Sequence, residues 1–228
     1  MIQSTDGGQT FLIQSSFPST YAESSGGLLA VSPANPEMLM AVLLSANNIP
    51  YLLKGTNAGT MNWSLLATGQ TGSLGLNNGQ GYFDLVLDVS PLNENIILVG
   101  TTTLYKSTNG GATFSAIGGY TGNFKIHPDQ QDIKMLASGE TWVSTDGGMN
   151  LTTDNFASVL NHKIRINGLI GSDMWGFDQG WNEDLIVGGR YHNGNTAMAD
   201  FYQPKALRMG GAESPTGWVI HGLSLIHI

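Results

Sequence analysis

Short apolar runs alternate along this chain with polar turns that are rich in glycine and asparagine. The clearest example is the apolar run at residues 96–99, which Leu104 and Tyr105 follow before a return segment begins at Thr113 and Phe114. Runs of β-branched and aromatic residues on both sides of a glycine-rich turn are typical of antiparallel strands. The pattern therefore predicts a series of β-hairpins, in which the aromatic residue after each turn lies in the core.

The turn inside that hairpin recurs along the chain, and we call each copy a box. Its pattern is Ser-Thr-(Asp/Asn)-Gly-Gly-x-Thr-aromatic, which is nearly complete at residues 4–11 and 107–114. A third copy at 144–148 lacks the aromatic end, and a looser fourth lies at 55–60 with Trp63 displaced. Asp or Asn before paired glycines favours a tight turn, because the short side chain bonds nearby backbone N–H groups and glycine tolerates a positive φ. The expected structural box positions are Ser4, Asp6, Gly8, Thr10, Phe11, Asn57, Gly59, Ser107, Asn109, Gly111, Thr113, Phe114, Ser144, Asp146 and Gly148.

Two registers remain open for the third copy. The box is either residues 144–148, or a degraded version at residues 152–156 with 146–148 forming an earlier turn. We lean towards the second register, because residues 141–143 and 150–152 then form paired strands.

A longer repeat surrounds the boxes and predicts the architecture. A strand-ending Val-Ser-Pro occurs at residues 31–33 and again at 89–91, and the same spacing separates Pro91 from Asn109 and Pro128 from Asp146. Repeats of this length, each holding a few strands, are typical of propeller blades. We expect an all-β fold, a partial β-propeller of about four to five blades cut from a larger ring and spanning residues 1–222. The expected parts are a blade tail at 1–20, blades at about 26–68, 82–118 and 122–158, and a divergent blade at 163–222.

The boxes resemble the Asp-box, or BNR repeat, Ser-x-Asp-x-Gly-x-Thr-Trp. That repeat is found in sialidases, xyloglucanase-type glycosidases and sortilin-like receptors, and the chain is most similar to large secreted BNR-repeat proteins of Bacteroidetes-type bacteria. The resemblance implies that each box is a structural turn at the periphery of the propeller, away from the binding face. It also implies an extracellular or cell-surface location.

Composition limits the classes of partner. The net charge is −8 with only nine Lys and Arg, so the chain has no basic face for phosphate groups and we expect no nucleic-acid partner. No apolar run reaches the length of a membrane span. Cysteine is absent, which excludes disulfides and thiol chemistry. We expect no cofactor.

Both ends of the chain suggest that it is part of a longer polypeptide. Residues 1–3 lead directly into a box, although a full strand is expected before the turn. Residues 223–228 (Leu-Ser-Leu-Ile-His-Ile) match the translation of a transposase sequencing adapter. We expect these six residues to be an assembly artefact; the alternative is a short apolar strand. The remainder of the parent polypeptide is then an expected partner.

The densest cluster of polar and aromatic residues lies in the divergent blade. A glycosidase needs two carboxylates that flank the scissile bond, and Asp178 with Glu183 is the candidate catalytic pair. Glu183 and Asp184 cannot form that pair together, because neighbours on a strand point to opposite faces. The candidate ligand-binding residues are His127, Asp129, Asp132, Trp181, Asp184, Arg190, Tyr191 and His192. In the competing interpretation, the aromatic residues fill the core and the carboxylates cap turns.

Several chemistries are disfavoured. Sialidases grip a carboxylate with three arginines, whereas this chain has only Arg165, Arg190 and Arg208, all near its end. The segment 127–132 contains one His and two Asp, but no closed ligand set, so we expect no metal. The first function hypothesis is a recognition module for a glycan or an extracellular protein, without chemistry of its own. The alternative is part of an Asp-box-type glycoside hydrolase that acts on polysaccharide, and propellers host both functions.

Overall fold

The computed structural model describes most of the chain and divides it into two compact units. The described residues are 1–21, 25–57, 61–68, 74–75, 80–168, 171, 174–180, 184–190, 194–203, 205–210 and 219. The first unit is Met1–Asn167 and the second is Gly168–Ile228.

The described strands of the first unit form one hairpin and three four-stranded antiparallel sheets. The hairpin is β1 (Ile2–Gln3) with β2 (Leu12–Ile13). The first sheet is β3 (Gly26–Ser32), β4 (Asn35–Leu44), β5 (Pro50–Asn57) and β6 (Met61–Thr68). The second sheet is β7 (Val86–Val89), β8 (Ile97–Gly100), β9 (Leu104–Ser107) and β10 (Ser115–Gly118). The third sheet is β11 (Gln130–Met135), β12 (Thr141–Thr145), β13 (Gly148–Thr152) and β14 (His162–Arg165).

Each sheet is a meander, and the sheets follow one another through their first strands. Strand β3 contacts β7, and β7 contacts β11. The Ser32 hydroxyl at the end of β3 donates to the Ser90 carbonyl after β7 at 2.6 Å. The Met135 N–H at the end of β11 donates to Asp88 Oδ2 in β7 at 2.7 Å. First strands that neighbour one another in this way place the three sheets as successive blades.

The second sheet is buried on both faces, and alternate residues of its strands enter different cores. Leu87 of β7 and Val99 of β8 lie in the core shared with the first sheet, together with Met40 of β4. Val86 and Leu98, their neighbours along the same strands, lie in the core shared with the third sheet. Side chains alternate between the faces of a strand, so a stack of sheets must use both sets. The structure thus confirms the predicted all-β partial propeller with several blades.

The third blade ends later in the chain than expected. Residues 162–165 form β14 and pair with β13, with Met149 opposite Arg165, whereas residues 163–165 were expected in the divergent blade. The connection at residues 153–161 leads from β13 to β14, the outermost strand of this sheet.

The second unit contains a sheet with the same strand order. Its strands are β15 (Met174–Gln179), β16 (Leu185–Arg190), β17 (Gly194–Ala199) and β18 (Leu207–Met209). Leu185, Val187 and Ala197 form its core. Short 3-10 turns lie at Ser19–Tyr21, Val159–Asn161 and Asp200–Tyr202. No helix among the described residues is long and apolar enough to cross a membrane.

Candidate functional site

Because each blade of the first unit is a meander, its strand connections lie at two opposite edges, and the two edges carry different residues. Connections from the first to the second strand and from the third to the fourth lie at one edge, which we call the box edge. Connections from the second to the third strand, and from one blade to the next, lie at the opposite edge. We call this the acidic edge, because it carries Asp84, Asp129 and Asp146. Residues 101–103, which join β8 to β9, lie at the same edge.

The box at residues 107–113 is a closed set of local hydrogen bonds. Ser107 Oγ accepts the Gly111 N–H at 2.9 Å and donates to Asn109 Oδ1 at 2.9 Å. Asn109 Oδ1 also accepts the Thr113 N–H at 3.0 Å, and Asn109 Nδ2 donates to Thr113 Oγ1 at 2.8 Å. Gly110 and Gly111 both have a positive φ, of 69° and 92°, which side-chain-bearing residues rarely adopt. Phe114 then enters the core and is 5% exposed.

The box at residues 4–10 has the same arrangement between β1 and β2. Asp6 accepts the Thr10 hydroxyl at 2.6 Å and the Thr10 N–H at 2.9 Å, and Ser4 Oγ donates to it at 2.7 Å. These bonds hold the pKa of the Asp6 carboxyl well below its usual range, with the Thr10 hydroxyl making the largest contribution. Phe11, which was expected in the core, is 58% exposed. Among the described strands, its hairpin has no third strand beside it.

In the third blade, the box-type hydrogen bonds lie at residues 152–158. Thr152 Oγ1 donates to Asp154 Oδ1 at 2.6 Å, and Asp154 Oδ2 accepts the Ser158 N–H at 2.9 Å. This turn lies between β13 and β14, so it joins the third strand of its sheet to the fourth, as the box at 107–113 does. The alternative copy, with Ser144, Asp146 and Gly148, forms the short turn between β12 and β13 instead. Asp146 there accepts Gln131 Nε2 at 2.8 Å and lies at the acidic edge.

Asn57 of the fourth copy ends β5 and pairs with Met61 at the start of β6. The hairpin therefore joins the third strand of its sheet to the fourth, like the box at 107–113. Gly59 lies outside the described residues.

Asp84 is the most unusual residue at the acidic edge. It precedes β7 and is 0% exposed, yet neither of its carboxylate oxygens has a partner in good hydrogen-bond geometry. Burial raises its pKa to about 7, and the negative charges of Asp129 and Asp146 act in the same direction. Buried carboxylates without donors are uncommon, because the ionised form loses its hydration without replacement.

Asp129 reaches Asp84 from the next blade. Its N–H donates to the Thr102 carbonyl at 3.3 Å, and its carbonyl accepts the Asp146 N–H at 3.3 Å. Its φ is +65°, a left-handed conformation that Asp tolerates better than most residues. His127 lies nearby, because a Cβ added to Gly147 would stand 2.4 Å from His127 Cβ.

Asp132, the third member of the 127–132 segment, lies apart from this cluster. It sits within β11, exposed, and its Oδ1 accepts the N–H of its own neighbour Ile133 at 2.8 Å. The structure therefore brings together Asp129 and His127 of the predicted residues, and adds Asp84 and Asp146 to them.

Exposed aromatic rings flank the carboxylates of the acidic edge. Tyr82 and Phe83 immediately precede Asp84 and are 71% and 61% exposed. The Gln80 carbonyl accepts both the Phe83 and Asp84 N–H groups, at 2.8 and 3.1 Å. These two hydrogen bonds hold the turn that carries the rings. Tyr120, also exposed, follows Gly119, where an added Cβ would stand 2.5 Å from the Thr102 carbonyl oxygen.

The predicted residues of the second unit have different surroundings. Asp178 lies in β15, and its carboxylate accepts the Gln179 N–H at 2.9 Å and the Val219 N–H at 2.8 Å. Asp184 faces Asp200; their hydrogen bond and like charges raise the pKa of Asp184. Both line a shallow pocket of about 300 Å³ that also contains Lys205. Arg190 ends β16. The other members of the predicted set, Trp181, Glu183, Tyr191 and His192, lie outside the described residues.

Sequence reasoning missed Asp84 and Tyr82. The available signal was a carboxylate set between aromatic residues and the buried run of β7, a place where a charge has no local reason to be. Asp146 was singled out, but as a box residue rather than as part of this edge.

Comparison with known proteins gives distant matches. No protein-family model matches the chain, and no curated protein does. Among solved structures, a GH74 enzyme of Niastella koreensis matches at 18% identity with a TM-score of 0.45, over 82% of this chain and 30% of that chain. PorZ, a surface component of the type-IX secretion system of Porphyromonas gingivalis, matches at 14% identity and a TM-score of 0.38, over 79% of this chain and 34% of that chain. YCF48 bound to a D1 peptide matches at 14% identity and a TM-score of 0.41, over 77% of this chain and 51% of that chain. This chain thus spans well under two thirds of each.

Proposed function

We propose that this chain is part of a secreted or cell-surface propeller of the BNR type, and that it recognises a glycan at the acidic edge of its blades. The observation that carries the proposal is the set of exposed rings, Tyr82, Phe83 and Tyr120, next to a group of carboxylates. The box turns use their polar groups internally and lie at the opposite edge, so they leave the acidic edge as the candidate binding surface.

The chemistry of that edge suits a sugar. The faces of pyranose rings carry C–H groups that pack on aromatic rings, while sugar hydroxyls donate to carboxylates. Exposed aromatic side chains combine apolar area with low conformational freedom, which favours such contacts. A strongly acidic face disfavours anionic glycans, because like charges repel. We therefore expect a neutral polysaccharide.

The hydrolase alternative lacks a supporting pair among the described residues. Asp178, one half of the predicted catalytic pair, is engaged by two backbone N–H groups. Asp84 has the raised pKa that suits a general acid, but both of its oxygens are buried away from a bound substrate. A protein ligand remains the other outcome that the binding experiment distinguishes.

The proposal is tested by binding to a panel of neutral and anionic polysaccharides, with Phe83→Ala as the key variant. Loss of one stacking ring should weaken binding by about threefold to tenfold. Phe11→Ala is the matched control, since Phe11 is a similarly exposed phenylalanine in a box. Its affinity should equal that of the unaltered protein.

Release of reducing ends from the same polysaccharides separates binding from cleavage. Retention without release supports the recognition module. Equal loss of binding in both phenylalanine variants, or no binding to any polysaccharide in the panel, would count against the acidic edge as a glycan site.

A further inference from the structure

Asp84 is buried in a place where an ionised carboxylate needs a compensating positive charge or hydrogen bonds. The side chain is fully buried, and neither Oδ1 nor Oδ2 has a partner in good hydrogen-bond geometry. The groups near enough to act on its pKa through a hydrogen bond are its own N–H and the Asp129 carboxyl, and the latter raises the pKa. An ionised carboxylate in such a place loses its hydration and gains no hydrogen bond in return. Folded proteins resolve this by a proton, a basic side chain or a metal ion.

The surroundings of Asp84 add negative charge. Asp129 and Asp146 are the charged groups that most affect it, and both disfavour its ionisation. Asp129 comes from the start of β11 and Asp146 from the turn between β12 and β13, so two elements of the third blade face the start of β7. Their positions are linked, because the Asp146 N–H donates to the Asp129 carbonyl at 3.3 Å.

A neutral oxygen is also buried at this edge. Gln130 is fully buried, and its Nε2 donates to the His127 carbonyl at 3.0 Å. That bond fixes which end of the amide is the nitrogen. Its Oε1 has no hydrogen-bond donor. Gln130 immediately follows Asp129, and its N–H is bound to the Thr101 carbonyl at 2.9 Å.

We propose that Asp84 and Asp129 bind a hard divalent cation, of which Ca²⁺ is the best match, between the second and third blades. Carboxylate, amide and carbonyl oxygens are the ligands that Ca²⁺ prefers, and it accepts irregular geometry and water in the remaining positions. Among the described residues, no group of three or more His, Asp or Glu side chains is placed to hold a metal ion. Gln130 Oε1, a buried oxygen without a hydrogen-bond partner, is the neutral ligand that we assign to the site. Asp146 contributes charge rather than a bond.

The proposed cation has a defined structural effect that goes beyond glycan recognition. It neutralises the buried charge of Asp84 and joins Asp84, two residues before β7, to Asp129, immediately before β11. A ligand that binds only the folded state stabilises it by mass action. The turn that carries Tyr82 and Phe83 is directly attached to Asp84, so the cation also anchors the exposed rings.

The test is thermal unfolding of the whole chain, first freed of metal with EDTA and then titrated with CaCl₂ at pH 7.5. We expect Ca²⁺ at millimolar concentration to raise the Tm of the unaltered protein by at least about 3 °C. Asp84→Asn and Asp129→Asn should each abolish most of this shift. Asp132→Asn is the matched control, since Asp132 is an exposed aspartate in β11, three residues after Asp129. This variant should keep the full Tm shift.

Calorimetric titration of the unaltered protein with CaCl₂, MgCl₂ and MnCl₂ provides a second measurement that needs no variant. Absence of binding by all three cations overturns the proposal, as does a Ca²⁺ shift that is equal in Asp84→Asn and the unaltered protein. Asp84→Asn removes a buried charge and should fold. If it does not, Asp129→Asn and the direct titration still decide the question.

Discussion

At the scale of single residues, Asp84 governs how stability depends on pH when no cation is present. Its folded-state pKa is raised to about 7 from an ordinary value of 3.8, so the folded protein holds this proton more tightly than the unfolded chain. The contribution of protonated Asp84 to the free energy of unfolding is fully present below about pH 4 and is lost as the pH rises through about 7. Asp129 and Asp146 face this group from the third blade and reinforce the effect.

Replacing Asp84 by Asn should therefore stabilise the protein at pH 8 in EDTA. We expect a gain on the order of 2–4 kcal/mol over the unaltered protein, shrinking towards pH 4. Urea unfolding at pH 4.5, 6 and 8 measures it. In both proteins, Asp88, whose pKa burial also raises, contributes a pH dependence of stability of the same sign, and His162, whose pKa burial lowers, contributes one of opposite sign. The difference between the two proteins therefore isolates Asp84. A variant that is less stable than the unaltered protein at pH 8 would contradict the assigned environment of Asp84.

The local sequence context of Asp84 is a signal, but an ambiguous one. Asp84 follows two aromatic residues and precedes an apolar strand, a context that equally predicts a strand-capping aspartate. The groups that act on it include Asp129, which precedes β11, and Asp146, which lies between β12 and β13. Those residues are distant in the sequence, and pattern reasoning has no means of placing them together.

At the scale of elements, the box at residues 107–113 offers a matched pair of substitutions. Asn109→Ala removes the acceptor of the Thr113 N–H and the partner of the Ser107 hydroxyl. We expect a loss of about 1–2 kcal/mol in the free energy of unfolding, measured with urea. Asn109→Asp should be nearly neutral, because the Thr113 hydroxyl can reverse and donate, as Thr10 does to Asp6. Equal destabilisation by both substitutions would mean that the side-chain bonds do not hold this turn.

The boxes were predictable because their hydrogen bonds are local. The side-chain hydrogen bonds of the turn at 107–113 all join residues no more than four apart, so composition and order largely specify its geometry. The Gly110 N–H reaches outside the turn, to the Asn95 carbonyl at 3.0 Å. The copy at 144–148 shows the limit of this reasoning. The same letters form a shorter turn there, because the strand pairing of β12 with β13 places Thr145 opposite Gly148. Phe11 shows another limit, since burial of an aromatic requires a neighbouring sheet.

At the scale of the whole molecule, the stacking of blades is what distinguishes this fold from an isolated antiparallel sheet. A sheet with one solvated face tolerates substitutions at every second residue. In the second blade, Leu98 and Val99 are adjacent in β8, and both are fully buried, one in each of the two inter-blade cores.

Shortening either side chain to alanine should therefore lower the free energy of unfolding. We expect Leu98→Ala to lower the free energy of unfolding by about 2–5 kcal/mol, and Val99→Ala by about 1–3 kcal/mol, because each leaves a cavity between sheets. Urea unfolding of the two variants measures both, with exposed Leu92→Ala as the control that should change little. If one of these two substitutions left the free energy of unfolding unchanged, the face of the second blade that carries that residue would be solvated. The three sheets of the first unit could then not be stacked as successive blades, and the acidic edge shared by the second and third blades would lose its structural basis.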